Sequence, residues 1–115
     1  MDTKLIYLAS PYTAKTQAER ELRYQLAVHA TACLLAKGYR VFSPIAYTHP
    51  IDQYLAIPSD VWYEMDHVYL QRCDVLWVLT LPGWAQSKGI QHEIDMATQL
   101  GKPVQYISYE EAVGP

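Results

Sequence analysis

Asp74-Val-Leu-Trp-Val-Leu-Thr80 leads through Leu81-Pro-Gly-Trp-Ala-Gln86 into Ser87-Lys-Gly-Ile-Gln-His-Glu93. The first stretch is a short, unbroken apolar run between polar residues, which fits a strand covered on both faces. Pro82-Gly83 marks a turn, and Ser87 is a favoured helix cap. Ile90, Ile94 and Ala97 then recur at helical spacing until Gly101, with Pro103 beyond. Buried strand, turn and amphipathic helix together make one βα unit.

The same unit recurs on either side. Lys4-Leu-Ile-Tyr-Leu-Ala-Ser10 is another apolar run, stopped by Pro11. From Thr16 to Lys37 the residues Leu22, Leu26, Ala30, Cys33 and Leu34 step by three and four, and Gly38 ends the helix. Tyr39 to Ser43 reads as a second strand, halted by Pro44. Residues 44–58 hold three prolines and little periodicity, which predicts a long surface excursion. Ser59 or Asp60 should cap a helix marked by Val61, Met65 and Val68 and running to Arg72. Val104 to Ser108 is a last strand, and Glu110 to Val113 a short terminal turn. Alternation of this kind implies βαβ crossovers. The expected fold is α/β: a three-layer, doubly wound, mostly parallel sheet of four to five strands, flavodoxin/Rossmann-like, in a single domain over residues 1–115.

Composition narrows the function classes. Half of the 115 residues are hydrophobic and 18% are charged, against a usual charged share of about 25%, so disorder is not expected. Nine Lys and Arg against twelve Asp and Glu give a net charge of −3. Binding of duplex nucleic acid through phosphate neutralisation is thereby excluded, whereas a small phosphorylated ligand needs only a local site. No apolar run reaches the 18 or so residues of a membrane span, and no signal-peptide core is visible. Two well-separated cysteines, Cys33 and Cys73, allow one disulfide by count, but two free thiols in a cytoplasmic setting are the expectation. Ten Tyr against one Phe favours half-buried polar surfaces and subunit contacts.

In a doubly wound sheet, ligands bind beyond the carboxyl ends of the strands. The chemistry is therefore expected at Ser10-Pro-Tyr-Thr13, with Ser10 and Pro11 in contact with ligand, at Pro44 onward, and at Leu81 to Gly89. A helix beginning at Ser87 offers unpaired N–H groups to an anion, and Gly89 lets a ligand approach the backbone. The same residues also read as an ordinary capped helix. Glu93 follows Gly89 by four residues and sits between Ile90 and Ala97, at the edge of the buried face, where a carboxyl group titrates high. Solvent exposure is the commoner fate of a glutamate. Tyr7, in the middle of a buried strand, needs a partner for its hydroxyl. Asp66 lies on the helix before the decisive strand, one residue past Met65, where a solvated face is an equal reading, and Asp74 has a structural look. His49, from residues 44–58, is expected to line the pocket, and His67 on the second helix is a further candidate. The four histidines show no ligand spacing, so no metal is expected.

Taken together these residues resemble the nucleoside 2-deoxyribosyltransferase-like superfamily over nearly the whole chain. The markers are Tyr7-Leu-Ala-Ser-Pro-Tyr12, Asp66 eight residues before Asp74, and Ser87-Lys-Gly-Ile-Gln-His-Glu93. By size and by the Ser-x-Gly-x-x-x-Glu string, the nearest branch is the 2′-deoxynucleoside 5′-monophosphate N-glycosidases. Ser43-Pro-Ile45, Thr48-His-Pro-Ile51, Arg72-Cys-Asp74 and Gly83-Trp84 also resemble a small family of uncharacterised bacterial and phage domains.

The resemblance implies roles. Glu93 would be the nucleophile that attacks the anomeric carbon, Tyr7 would orient it, and Asp66 would contact the sugar and help protonate the leaving base. Ser87 would hold a 5′-phosphate; the relatives that act on free nucleosides carry an aspartate there, which would repel one. Gly89, Ser10, Pro11 and His49 complete the expected binding residues. No cofactor is implied, and a homodimer or larger homo-oligomer is. This chain lacks the glycine- and arginine-bearing loop that follows the first strand in the glycosidase branch, and Lys15 is the nearest cation to that point in sequence. The expected activity is hydrolysis of the N-glycosidic bond of a (deoxy)nucleoside 5′-monophosphate or related N-ribosyl compound. The alternatives are deoxyribosyl transfer between bases and, in another class, a non-catalytic nucleotide-binding sensor or interaction module.

Overall fold

The apolar runs pair as β1 (Leu5–Ala9), β2 (Arg40–Phe42), β3 (Val75–Leu79) and β4 (Val104–Ile107) in a computed structural model that describes residues 3–115. All four strands are parallel, in the order β2-β1-β3-β4. The helices between them are α1 (Gln17–Ala36), α2 (Pro44–Asp52), α3 (Ser59–Arg72) and α4 (Lys88–Gln99), with α5 (Tyr109–Val113) closing the chain. This is the expected flavodoxin/Rossmann-like architecture, with four strands.

Alternation along the strands sorts the two cores. Tyr7, Ala9, Leu76 and Val78 face α3 and α4 and pack with Leu70, Ile90, Met96 and Ala97. Leu8 and Leu79 face the other way and pack with Ala30 and Leu34 of α1 and Ala112 of α5. Asp74 has the structural role expected of it. Its Oδ2 accepts from the Leu5 amide at 2.7 Å, while its own amide donates to the Leu5 carbonyl at 2.8 Å. This pair pins the register of β1 against β3.

Helix ends follow the sequence in most places. Thr16 caps α1, and Gly38 and Gly101 take positive φ after α1 and α4. Ser87 caps α4 by accepting the Ile90 amide at 3.2 Å. Two expectations need correction. Residues 44–58 are not one surface excursion, because the first nine of them form α2. Ser43 caps it through the Ala46 amide, and Pro44 occupies the first turn, where no backbone N–H is required. Pro50 falls near the end of the helix, so only one late rung is lost. The second correction is that α3 starts at Ser59 itself, after Pro58, and neither Ser59 nor Asp60 caps it.

From β1 the chain moves outward through α1 to β2. It then returns through α2 and α3 to β3 on the other side of β1. The loops leaving β1 and β3 therefore diverge, and a crevice opens at their carboxyl ends. Arg23 of α1 ties those two loops together by donating to the carbonyls of Thr13 and Pro82. Gly83 is needed there: its φ is +91°, and a Cβ would lie 2.7 Å from Arg23 Nη2. Among the described residues no helix is long and apolar enough to cross a membrane.

Candidate functional site

The crevice is a cavity of about 670 Å³. Ser10, Tyr12 and Thr13 reach it from the end of β1, and Pro44, Thr48 and Asp52 from α2. Ser59, Trp62, Tyr63 and Asp66 line it from α3, and Gln86, Ser87, Lys88, Gly89 and Glu93 from the start of α4.

At its base lies a buried polar contact. The Tyr7 hydroxyl donates to Glu93 Oε2 at 2.5 Å, and both side chains are buried. Tyr7 stands on the central strand with Phe42 against its ring, so the phenol has a single position. Glu93 is 7% exposed yet still borders the cavity. Burial pushes its carboxyl up to about 8; the Tyr7 hydrogen bond opposes that rise, and the charge of Asp66 adds to it. Asp66, on the facing helix, is likewise raised by burial, to about 6, with the Tyr7 hydroxyl acting in the opposite sense. Tyr7 itself is driven well above the ordinary phenol range by burial and by the charges of Glu93 and Asp66. Two carboxyl groups and one phenol thus form a coupled cluster that titrates as a unit and retains a proton near neutrality.

The rim nearest α4 is rich in donors. Ser87 uses an oxygen lone pair for its cap, which leaves its O–H free to donate. Lys88 adds an ammonium at the same edge. A Cβ on Gly89 would meet only Ser87 Oγ, at an ordinary 3.8 Å, so nothing in the protein itself demands glycine there. The Ser10 hydroxyl is buried in the cavity wall with no partner among the described residues, a costly state that a ligand would relieve.

Of the expected site residues, Glu93, Asp66, Ser87, Gly89 and Ser10 meet around one cavity, with Tyr7 joined to them through Glu93. Three others do not line it. Pro11 is buried in the protein. His67 lies on an exposed part of α3. His49 is 4% exposed and both its ring nitrogens are occupied: Nδ1 lies 2.7 Å from the Tyr12 hydroxyl and Nε2 2.7 Å from Glu21 Oε2. It braces α2 against α1 instead of reaching the cavity. Lys15 is exposed and lies outside the lining, and Lys88 is the cation that borders it. Sequence reasoning also passed over Asp52 and Trp62. A signal for Trp62 exists, since it precedes Asp66 by one helical turn and so shares its face.

Fold and site together define an α/β domain with a buried glutamate, a half-buried aspartate and a tyrosine at its topological switch point. The chain belongs to the family described as Domain of unknown function (DUF1937), whose family model matches residues 4–110. No curated protein matches the chain.

Proposed function

We propose that the protein is an N-glycosidase acting on a (deoxy)nucleoside 5′-monophosphate or a related N-ribosyl compound, as its resemblance to the nucleoside 2-deoxyribosyltransferase-like superfamily implies. The observation that carries this reading is the buried Tyr7–Glu93 hydrogen bond at the base of a cavity that Asp66 also faces.

Cleaving an N-glycosidic bond builds positive charge on the sugar ring. In the productive state Glu93 is ionised and Asp66 holds the pair's proton. A Glu93 oxygen bonds to the anomeric carbon as the bond to the base breaks, and the departing nitrogen takes the proton from Asp66. Water then attacks the same carbon, returns a proton to Asp66 and releases Glu93. Tyr7 fixes the orientation of the attacking carboxylate. The positive charge growing beside Glu93 favours its ionised form, which burial alone disfavours. Ser87, Lys88 and the first amides of α4 supply donors for the 5′-phosphate.

Incubation with a panel of nucleoside and deoxynucleoside 5′-monophosphates tests the proposal by release of free base, which Glu93→Gln should abolish. A second base added to the mixture separates hydrolysis from deoxyribosyl transfer. Tight nucleotide binding with no product would instead establish the non-catalytic sensor. Self-association belongs to the same proposal and rests on the exposed side chains of Tyr54 (93%) and Leu55 (69%) beside α2. A monomer by light scattering would remove it.

A further inference from the structure

On the side of the cavity away from α4, among hydroxyls that can donate or accept, two groups are fixed as acceptors by their partners. Glu21 lies on an exposed part of α1, where hydrogen bonds to Gln25 and His49 lower its carboxyl below the usual range. A carboxylate only accepts, so His49 Nε2 carries the hydrogen between them. In the neutral imidazole Nδ1 is then bare and must accept from the Tyr12 hydroxyl, 2.7 Å away. Tyr24 stacks on the imidazole at 4.1 Å and holds its plane. With its only hydrogen given to His49, the Tyr12 oxygen has nothing but lone pairs to offer a ligand.

Asp52 adds a second acceptor on the same wall. Its Oδ1 takes the Ile57 amide at 3.2 Å and the Trp62 indole N–H at 3.3 Å. Its Oδ2 has no partner among the described residues. Trp62, whose single polar atom is thus satisfied, presents an aromatic surface to the cavity. The result is an indole held beside the Asp52 acceptor, with the Tyr12 acceptor in the same cavity, whose α4 rim carries the donors of Ser87 and Lys88.

We propose that this acceptor pole binds an amino group carried on the aromatic ring of the ligand, with Tyr12 and Asp52 as the binding residues and Glu21 and His49 as positioning residues that fix the polarity of Tyr12. The inference deepens the nucleotide reading above and rests on it: the preferred substrates are nucleotides whose base bears an exocyclic amine.

Binding of 2′-deoxyadenosine 5′-monophosphate is compared by calorimetry with purine 2′-deoxyriboside 5′-monophosphate, the same molecule lacking only the 6-amino group. The wild-type protein should bind the amino compound roughly 10-fold or more tightly, the usual effect of a hydrogen bond to a charged acceptor. Tyr12→Phe and Asp52→Asn should each shrink that ratio, with affinity for the deamino compound nearly unchanged. Glu21→Gln is the variant that reads the relay. Its amide can donate to Nε2, which lets the imidazole switch tautomer and turns Tyr12 into a donor. At this solvent-facing position the fold is kept, and the ratio should fall. Equal affinity of the wild-type protein for the two compounds overturns the inference and leaves the nucleotide reading standing. Binding of neither compound overturns both. An undiminished ratio in Glu21→Gln removes the relay from the proposal.

Discussion

Tyr7 and Glu93 lie 86 residues apart in sequence and share a buried hydrogen bond of 2.5 Å. The phenol belongs to the central strand and the carboxyl to the helix packed over it, so their contact depends on the β1–β3 pairing being in register. Asp74 sets that register through the Leu5 backbone.

The raised carboxyls predict a pH-dependent stability with a definite sign. Folded Glu93 titrates near 8 and Asp66 near 6, against ordinary values of 4.5 and 3.8. In the window between, the folded protein holds protons that the unfolded chain has lost, so stability declines as pH rises. The melting temperature of the wild type should therefore fall from about pH 4.5 to about pH 8. Glu93→Gln should flatten most of that decline and leave the smaller part below pH 6 that belongs to Asp66. An equally steep decline in Glu93→Gln would contradict the burial of this carboxyl.

Turnover should trace a bell with limbs near 6 and 8, because the singly protonated pair is the working form. Asp66→Asn should convert the bell into a single rise with pH at much reduced rate. Tyr7→Phe removes the hydrogen bond that holds the Glu93 titration down, so its alkaline limb should move upward while kcat drops roughly 10- to 100-fold. Initial rates of base release across pH measure all three.

Ser87→Asp separates phosphate recognition from folding. Aspartate caps helices as well as serine does, so α4 should stay intact by circular dichroism. Its charge repels a phosphate at the same spot. The Kd for a 5′-monophosphate should rise roughly 10-fold or more, with that of the matching nucleoside almost unchanged. A uniform loss for both ligands would place the phosphate elsewhere.

Gly83→Ala tests the tie between the two loops. The substitution meets both a φ of +91° and Arg23 Nη2 at 2.7 Å. It should destabilise the protein by about 1–2 kcal/mol, read as a lower urea midpoint with unchanged slope.

The sheet and the burial of Glu93 were legible because local pattern carries them, whereas Asp66 entered only through the family resemblance, its helix position fitting a solvated face equally well. Leu5–Ala9 and Val75–Leu79 are apolar throughout, and Glu93 falls between Ile90 and Ala97 on a strongly amphipathic helix. The stretch from Pro44 to Asp52 was not legible. Three prolines across residues 44–58 outweighed a helix too short to display a period, although the Ser43-Pro44 start is a favourable cap and first turn. The misplacement of His49 follows from the same error. Its partners Glu21, Tyr12 and Tyr24 come from α1 and the loop before it, and their meeting is a product of tertiary packing that no spacing rule encodes.

The strand order has a consequence for biosynthesis. β1 is made first yet becomes an interior strand, with β2 on one flank and β3 on the other. Until Val75–Leu79 leaves the ribosome, one whole side of Leu5–Ala9 displays unpaired amides and carbonyls along an apolar ribbon. Any nascent or truncated chain that stops before β3 carries this sticky margin, the feature that invites association between copies. Expression of fragments ending near Arg72 should accordingly yield aggregates, where the complete sheet leaves only β2 and β4 at its borders.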